Sequence, residues 1–172
     1  MAQVAWLGPI WVLLGAIVFI SGLRAAGSTR AMRTGRFALA LLYIGAGAVV
    51  NLGFLLSGAD YADFGDGSYI PFVRDTWASL VVPNVVFFIS LLIAFETAVG
   101  VLALRGGRST QLGLIGAIGF HIALLSFGWG FYIWSVPMLV ALALLLRAEQ
   151  RSTSGFSSRR TFVATTASVA TQ

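Results

Sequence analysis

The chain has 172 residues, 58% hydrophobic and only 10% charged, with mean hydropathy +0.91; soluble domains carry about 25% charged residues. It contains no cysteine, which excludes disulfides, thiol redox chemistry, thioether-bound haem and Cys-ligated zinc or iron–sulfur sites. The net charge of +5 comes from arginines set at the ends of apolar runs, with no nucleic-acid-binding pattern, so it reads as a membrane-topology signal and excludes nucleic acid.

These bounds predict an all-α, polytopic membrane helix bundle forming one domain. The first span runs over about residues 4–23, with Trp6 and Trp11 near its start, where aromatic rings favour the interface, and Pro9 early in the helix. The first basic residue, Arg24, follows this run rather than preceding it. That order predicts a retained span rather than a cleaved signal peptide. The next segment holds Arg24, Arg30, Arg33 and Arg36 and no acid, so it is expected on the cytoplasmic side.

Span two is expected over about 37–56. Gly45, Gly47 and Gly53 with Ala46 and Ala48 would let a neighbouring helix approach closely. Asn51 needs a hydrogen-bond partner at membrane depth, either as glue between helices or as a contact in a ligand cavity. The following loop is acidic, with Asp60, Asp63, Asp66 and Asp75 against Arg74, and is expected outside. The spacing of its aspartates does not match an EF-hand, so a solvated acidic face is the simpler reading. Tyr61, Phe64, Tyr69, Phe72 and Trp77 suggest a segment on the membrane surface or folded over the bundle mouth.

Span three, about 81–104, is apolar almost throughout but carries Glu96. A charge at membrane depth costs roughly 2.5–3.5 kcal/mol on insertion scales, so Glu96 must be protonated, paired or hydrated. Pro83 disfavours helix just before it, and Gly106 and Gly107 are natural helix stops. From Gln111 to Leu146 the apolar run is too long for one crossing, and FGWGFYIWSVP divides it into spans of about 111–127 and 131–146. Gly113, Gly116 and Gly119 form a small-residue strip in span four, and Gly100 shares a helix face with Glu96. The tail after Leu146 has no sustained apolar face, and 151–172 is expected to be a disordered cytoplasmic tail. Five spans, N-out and C-in, put ten of the eleven arginines on the cytoplasmic side.

Two ionisable groups lie at depth. Glu96 sits nine residues from Arg105, about 13 Å along a helix, and His121 sits thirteen residues from Arg108, about 20 Å. The short link between their spans makes them antiparallel neighbours, so a Glu96–His121 couple is within reach of a long side chain or one water. Either the pair, with Asn51, ties the bundle, or it forms a polar site for a proton or a lipid-soluble ligand. One Glu and one His are too few for a metal site.

From Arg36 onward the chain resembles the DoxX-like family of small bacterial membrane proteins. The resemblance rests on a basic residue opening a Gly-rich span (Arg36 to Gly53) and on an aromatic outer loop running into Pro83. It rests also on AFETAVGVLALRGGRST, where Glu96, Gly100, Gly107 and Arg108 match. It covers about 110 residues and implies a four-span core to which residues 4–23 add a further span. It also implies an inner-membrane location and a link to membrane redox complexes, with Glu96 near a quinone or a proton. No cofactor motif stands in the chain, and quinone is the one cofactor the resemblance brings in. Three functions follow as expectations. The first is a non-catalytic subunit or anchor of a membrane complex, with lipid, partner redox proteins or further copies around it. The second is a quinone-using oxidoreductase component built on Glu96 and His121. The third is a small-solute transporter, for which no internal repeat speaks.

Overall fold

The computed structural model describes residues 7–169, with side chains over 8–153. Trp6 and the first residues of the expected span 4–23 lie outside the described residues, as do 170–172. The described chain is helical, in five long segments. We label them α1 (Leu7–Arg24), α2 (Thr29–Leu56), α3 (Pro71–Arg105), α4 (Gly107–Phe127) and α5 (Trp129–Val169). Segments α2 to α5 each contain a stretch long and apolar enough to cross a membrane, and α1 is a shorter apolar helix. With no water at membrane depth, the backbone must satisfy itself within each segment, and such sequences therefore fold as helices.

The helices pack in a ring in chain order: α1 against α2, α2 against α3, α3 against α4, α4 against α5, and α5 back against α1. Tight links enforce that order. Gly106 alone separates α3 from α4 with φ +86, and Gly128 separates α4 from α5 with φ +115. These are left-handed conformations that glycine adopts without strain. The largest fully buried apolar side chains include Leu39, Leu114, Leu142 and Leu145, which lie in the half of the bundle nearer the arginine-rich links. Exposed Val12, Leu13, Val86, Phe87, Leu112 and Ile133 give the outer surface an apolar face suited to lipid.

Four expectations are corrected. Helix α2 begins at Thr29, capped by Ser28, whose side chain accepts from Ala31 N at 3.1 Å, so the helix that holds span two starts before the expected Phe37. Helix α3 begins at Pro71 instead of Val81. The chain stays helical up to Pro83 by widening to a π turn over Trp77–Val81 and tightening to a 3-10 turn over Val82–Asn84. The helix of span five does not stop at Leu146. It continues through Val169, so the segment expected as a disordered tail is helical up to there. The small-residue strip is used only in part. A Cβ on Gly113 would press on α3 at Ala103 N (3.0 Å) and one on Gly116 on Val99 (3.2 Å), but Gly119 and Gly45 face open space.

The arginine-rich end is locked by groups that a charge count alone treats as topology markers. Arg36 donates from Nε to Ala103 O (2.8 Å) and from Nη2 to Leu104 O (3.0 Å), and its Nη1 lies 3.7 Å from Glu149 Oε2. Glu149 Oε1 accepts from Gly107 N at 3.0 Å. Thr110 accepts from Gly106 N and donates to Ala103 O, at 2.9 and 3.1 Å. The orphan carbonyls ending α3 and the orphan donors opening α4 are thereby satisfied by side chains of α2, α4 and α5. Glu149, expected in the tail, is a buried part of the bundle.

Candidate binding cavity

At the end opposite the arginines, the ring of helices does not close. Residues 41–49 of α2 wind as a π-helix, LLYIGAGAV. A π segment leaves the i to i−4 ladder and widens the helix. Here Trp11 of α1 donates its indole Nε1 to Ala46 O at 2.8 Å, holding one carbonyl of that widened stretch. Small residues along it keep the opposing α3 close. A Cβ on Gly47 would lie 2.6 Å from Glu96 Oε1 and 3.2 Å from Oε2, so the absent side chain is the space that the carboxylate occupies. One turn deeper, Gly100 is filled in the same way by Ile44.

Glu96 is buried, 5% exposed, and Asn51 Nδ2 donates to its Oε2 at 3.1 Å. No hydrogen bond from the described residues reaches Oε1, and no arginine lies within ion-pair distance. Asn51 is itself held from the outer link, where Tyr61 Oη donates to Asn51 O at 3.3 Å and lies 3.5 Å from its Oδ1. Trp77 Nε1 in turn donates to Tyr61 O at 2.8 Å. A string of hydrogen bonds thus runs from the start of α3 through the 57–70 link to the carboxylate. Burial, and then the Glu96 carboxylate, push the Tyr61 phenol up from its ordinary pKa, so it stays a donor.

His121 is 2% exposed and meets Ser135 Oγ of α5 through Nδ1 at 3.3 Å. Its Nε2 has no hydrogen-bond partner among the described residues. Tyr43 packs its ring edgewise on His121, centroids 6.5 Å apart, and donates to Ala117 O at 3.4 Å.

The expected Glu96–His121 couple is not made. Glu96 turns to Asn51 of α2 and His121 to Ser135 of α5, because two residues on adjacent antiparallel helices meet only if both face the same seam. Instead Asn51, Glu96 and His121 all line one cavity of about 1060 Å³. Its roof is a cluster of rings: Phe64 lies 5.0 Å from Trp77, 4.9 Å from Phe127 and 5.4 Å from Phe131, centroid to centroid. The 57–70 link carries this roof. It contains a 3-10 turn over Ala62–Gly65, and Ser68 donates to Ser126 O at 2.6 Å to fasten it to α4.

Reading the sequence singles out Asn51, Glu96, His121, Gly47 and Gly100, which border or shape this space, and Gly45 and Gly119, which do not. It misses Ser135, the Trp11 indole and the π segment. Ser135 stands beside Pro137 in an aromatic stretch read as a break, and the run of small residues at 45–48 is the one signal of an irregular helix.

The chain matches no family model, no curated protein and no solved structure, so its geometry carries the functional argument.

Proposed function

We propose that this chain is a DoxX-like multi-pass protein of the inner membrane, five spans with N-out and C-in, that binds a lipid-soluble ligand in its cavity. On this reading it is a non-catalytic member of a larger membrane complex. The observation that carries the reading is the placing of Asn51, Glu96 and His121 on the wall of one roofed space, with Glu96 Oε1 and His121 Nε2 both lacking protein partners. A bundle tied only for stability would have given both of these atoms a protein partner. Ligand pockets span about 300–1,000 Å³ and combine apolar walls with a few convergent polar groups, and this one has both.

Solvent extraction of protein purified in mild detergent tests the reading. Wild type is expected to release a lipid-soluble compound near one equivalent, and Leu124→Trp, which fills the cavity from α4, to release much less. Equal recovery from both proteins would show that the compound comes from the detergent belt and not from the site.

A second reading, a quinone-using component, draws on the family resemblance and on two polar atoms facing one cavity. Electrons would then reach a partner, since this chain has no thiol. Quinone in the extract that disappears in Glu96→Gln would favour it.

A further inference from the structure

We propose that the cavity's ligand is an amphiphilic organic cation bearing at least one N–H, a lipid-soluble ammonium. This rests on the cavity reading above and narrows it by charge and hydrogen-bond direction.

The wall is acceptor-rich. Three carboxylates line it, Asp60 and Asp63 at the outer rim and Glu96 inside, and no arginine does. The arginine nearest Glu96 in sequence is Arg105, at the far end of α3, and Arg36 is engaged with Glu149 and the carbonyls of Ala103 and Leu104. Four donors of the wall are already engaged on protein carbonyls: Trp11 on Ala46, Tyr43 on Ala117, Trp77 on Tyr61 and Tyr61 on Asn51. Asn51 gives Glu96 its one hydrogen bond. What remains is one donor, the Trp134 indole N–H, which has no hydrogen bond among the described residues, and two other groups, Oε1 of the buried Glu96 carboxylate and Nε2 of His121, on a side chain 2% exposed. His121 Nδ1 and Ser135 Oγ share one hydrogen bond; in the tautomer with the proton on Nδ1, Nε2 is a bare acceptor, and in the other it is a donor.

In its ionised form the buried Glu96 carboxylate repels an anion, and a cationic ligand would supply the counter-charge that membrane depth requires. The carboxylate binds an ammonium by a charge-assisted hydrogen bond, roughly twice as strong as a neutral one. The rim aspartates bring cations to the mouth. The rings of Phe64, Trp77, Phe127 and Phe131 hold the apolar body of the ligand and present π faces that favour positive charge.

The test compares 4-phenylbutylamine, charged at pH 7, with 4-phenylbutanol, its neutral match in size, on detergent-purified protein. Tryptophan fluorescence reports binding, since Trp11, Trp77 and Trp134 line the site. The amine is expected to bind about tenfold tighter or better, the scale of one hydrogen bond to a charged group. Glu96→Gln, which can still accept from Asn51, is expected to abolish that preference, bringing the amine's affinity down to that of the alcohol. The wild-type comparison alone decides the matter should that variant fold poorly. Equal affinities, or a retained quinone that the amine does not displace, would overturn the cation assignment and leave the cavity intact. Binding of both probes that ignores Leu124→Trp, or no binding of either, would overturn the cavity reading itself.

Discussion

Gly47 and Gly45 stand two residues apart on the same helix and have opposite surroundings. A methyl on Gly47 would collide with the Glu96 carboxylate, while one on Gly45 meets nothing within 4 Å. Gly47→Ala is therefore expected to push the mobile end of Glu96 aside and to lower stability by about 1 kcal/mol, the scale of the Asn51–Glu96 hydrogen bond it would disturb. Gly45→Ala should be neutral or stabilise by up to about 1 kcal/mol. Thermal unfolding of both variants in one detergent checks the pair, and equal shifts would show that Glu96 does not occupy the space beside Gly47. Tyr61 supplies a pH signature. Its folded pKa lies above the unfolded value near 10, so its contribution is intact below about pH 10 and is lost as pH rises through the folded value. Tyr61→Phe is expected to flatten the alkaline arm of the stability curve, measured by melts between pH 8 and 11. At this scale the sequence was legible by residue type. A carboxylate, an amide and an imidazole in apolar runs had to have company. Which company each took was not legible, because hydrogen-bond partners come from helices whose rotation about their own axes no single span encodes.

At the scale of the helices, two irregularities make the site. The π segment of α2 turns Ala46 O toward Trp11 and sets Gly47 against Glu96, and the π and 3-10 turns ahead of Asn84 carry α3 past Pro83. Proline is read from sequence as a break, yet the helix absorbs it by changing pitch, and this is why α3 begins at Pro71. The helix ends are joined by Arg36 and Glu149. Removing one partner of a buried pair costs about 3–5 kcal/mol, since the other charge is left stranded. Arg36 is partly exposed, with 15% of its side chain accessible, so the lower part of that range is expected for Arg36→Met. Glu149→Gln should cost less, because its amide oxygen can still accept from Gly107 N. The double variant Arg36→Met/Glu149→Leu is expected to recover part of the loss. A double-mutant cycle closed with Arg36→Met and Glu149→Leu as the single variants measures the coupling by thermal melts, and strict additivity would mean that the two side chains do not act together.

For the whole molecule, the ring of five helices puts Arg30, Arg33, Arg36, Arg105 and Arg108 at one end and the acidic, aromatic link, with Arg74 beside it, at the other. Because the chain has no cysteine, single cysteines report its orientation without background. Asp66→Cys is expected to react with a membrane-impermeant maleimide on intact cells, and Arg108→Cys only after the cells are opened; the reverse pattern would invert the proposed topology. The sequence by itself determined that the chain is helical, with stretches long and apolar enough to cross a membrane, and that a carboxylate, an amide and an imidazole stand within those stretches. Hydropathy is a sum over single residues, and lipid leaves the backbone no alternative to helix. Only the tertiary structure decided that Glu96 turns to Asn51 and His121 to Ser135 while both line one cavity, that Glu149 belongs to the bundle, and that Phe64 of the outer link helps to roof the cavity. Those outcomes depend on the rotation and pitch of each helix against its neighbours, and a few widened turns change both without leaving a mark in the hydropathy pattern.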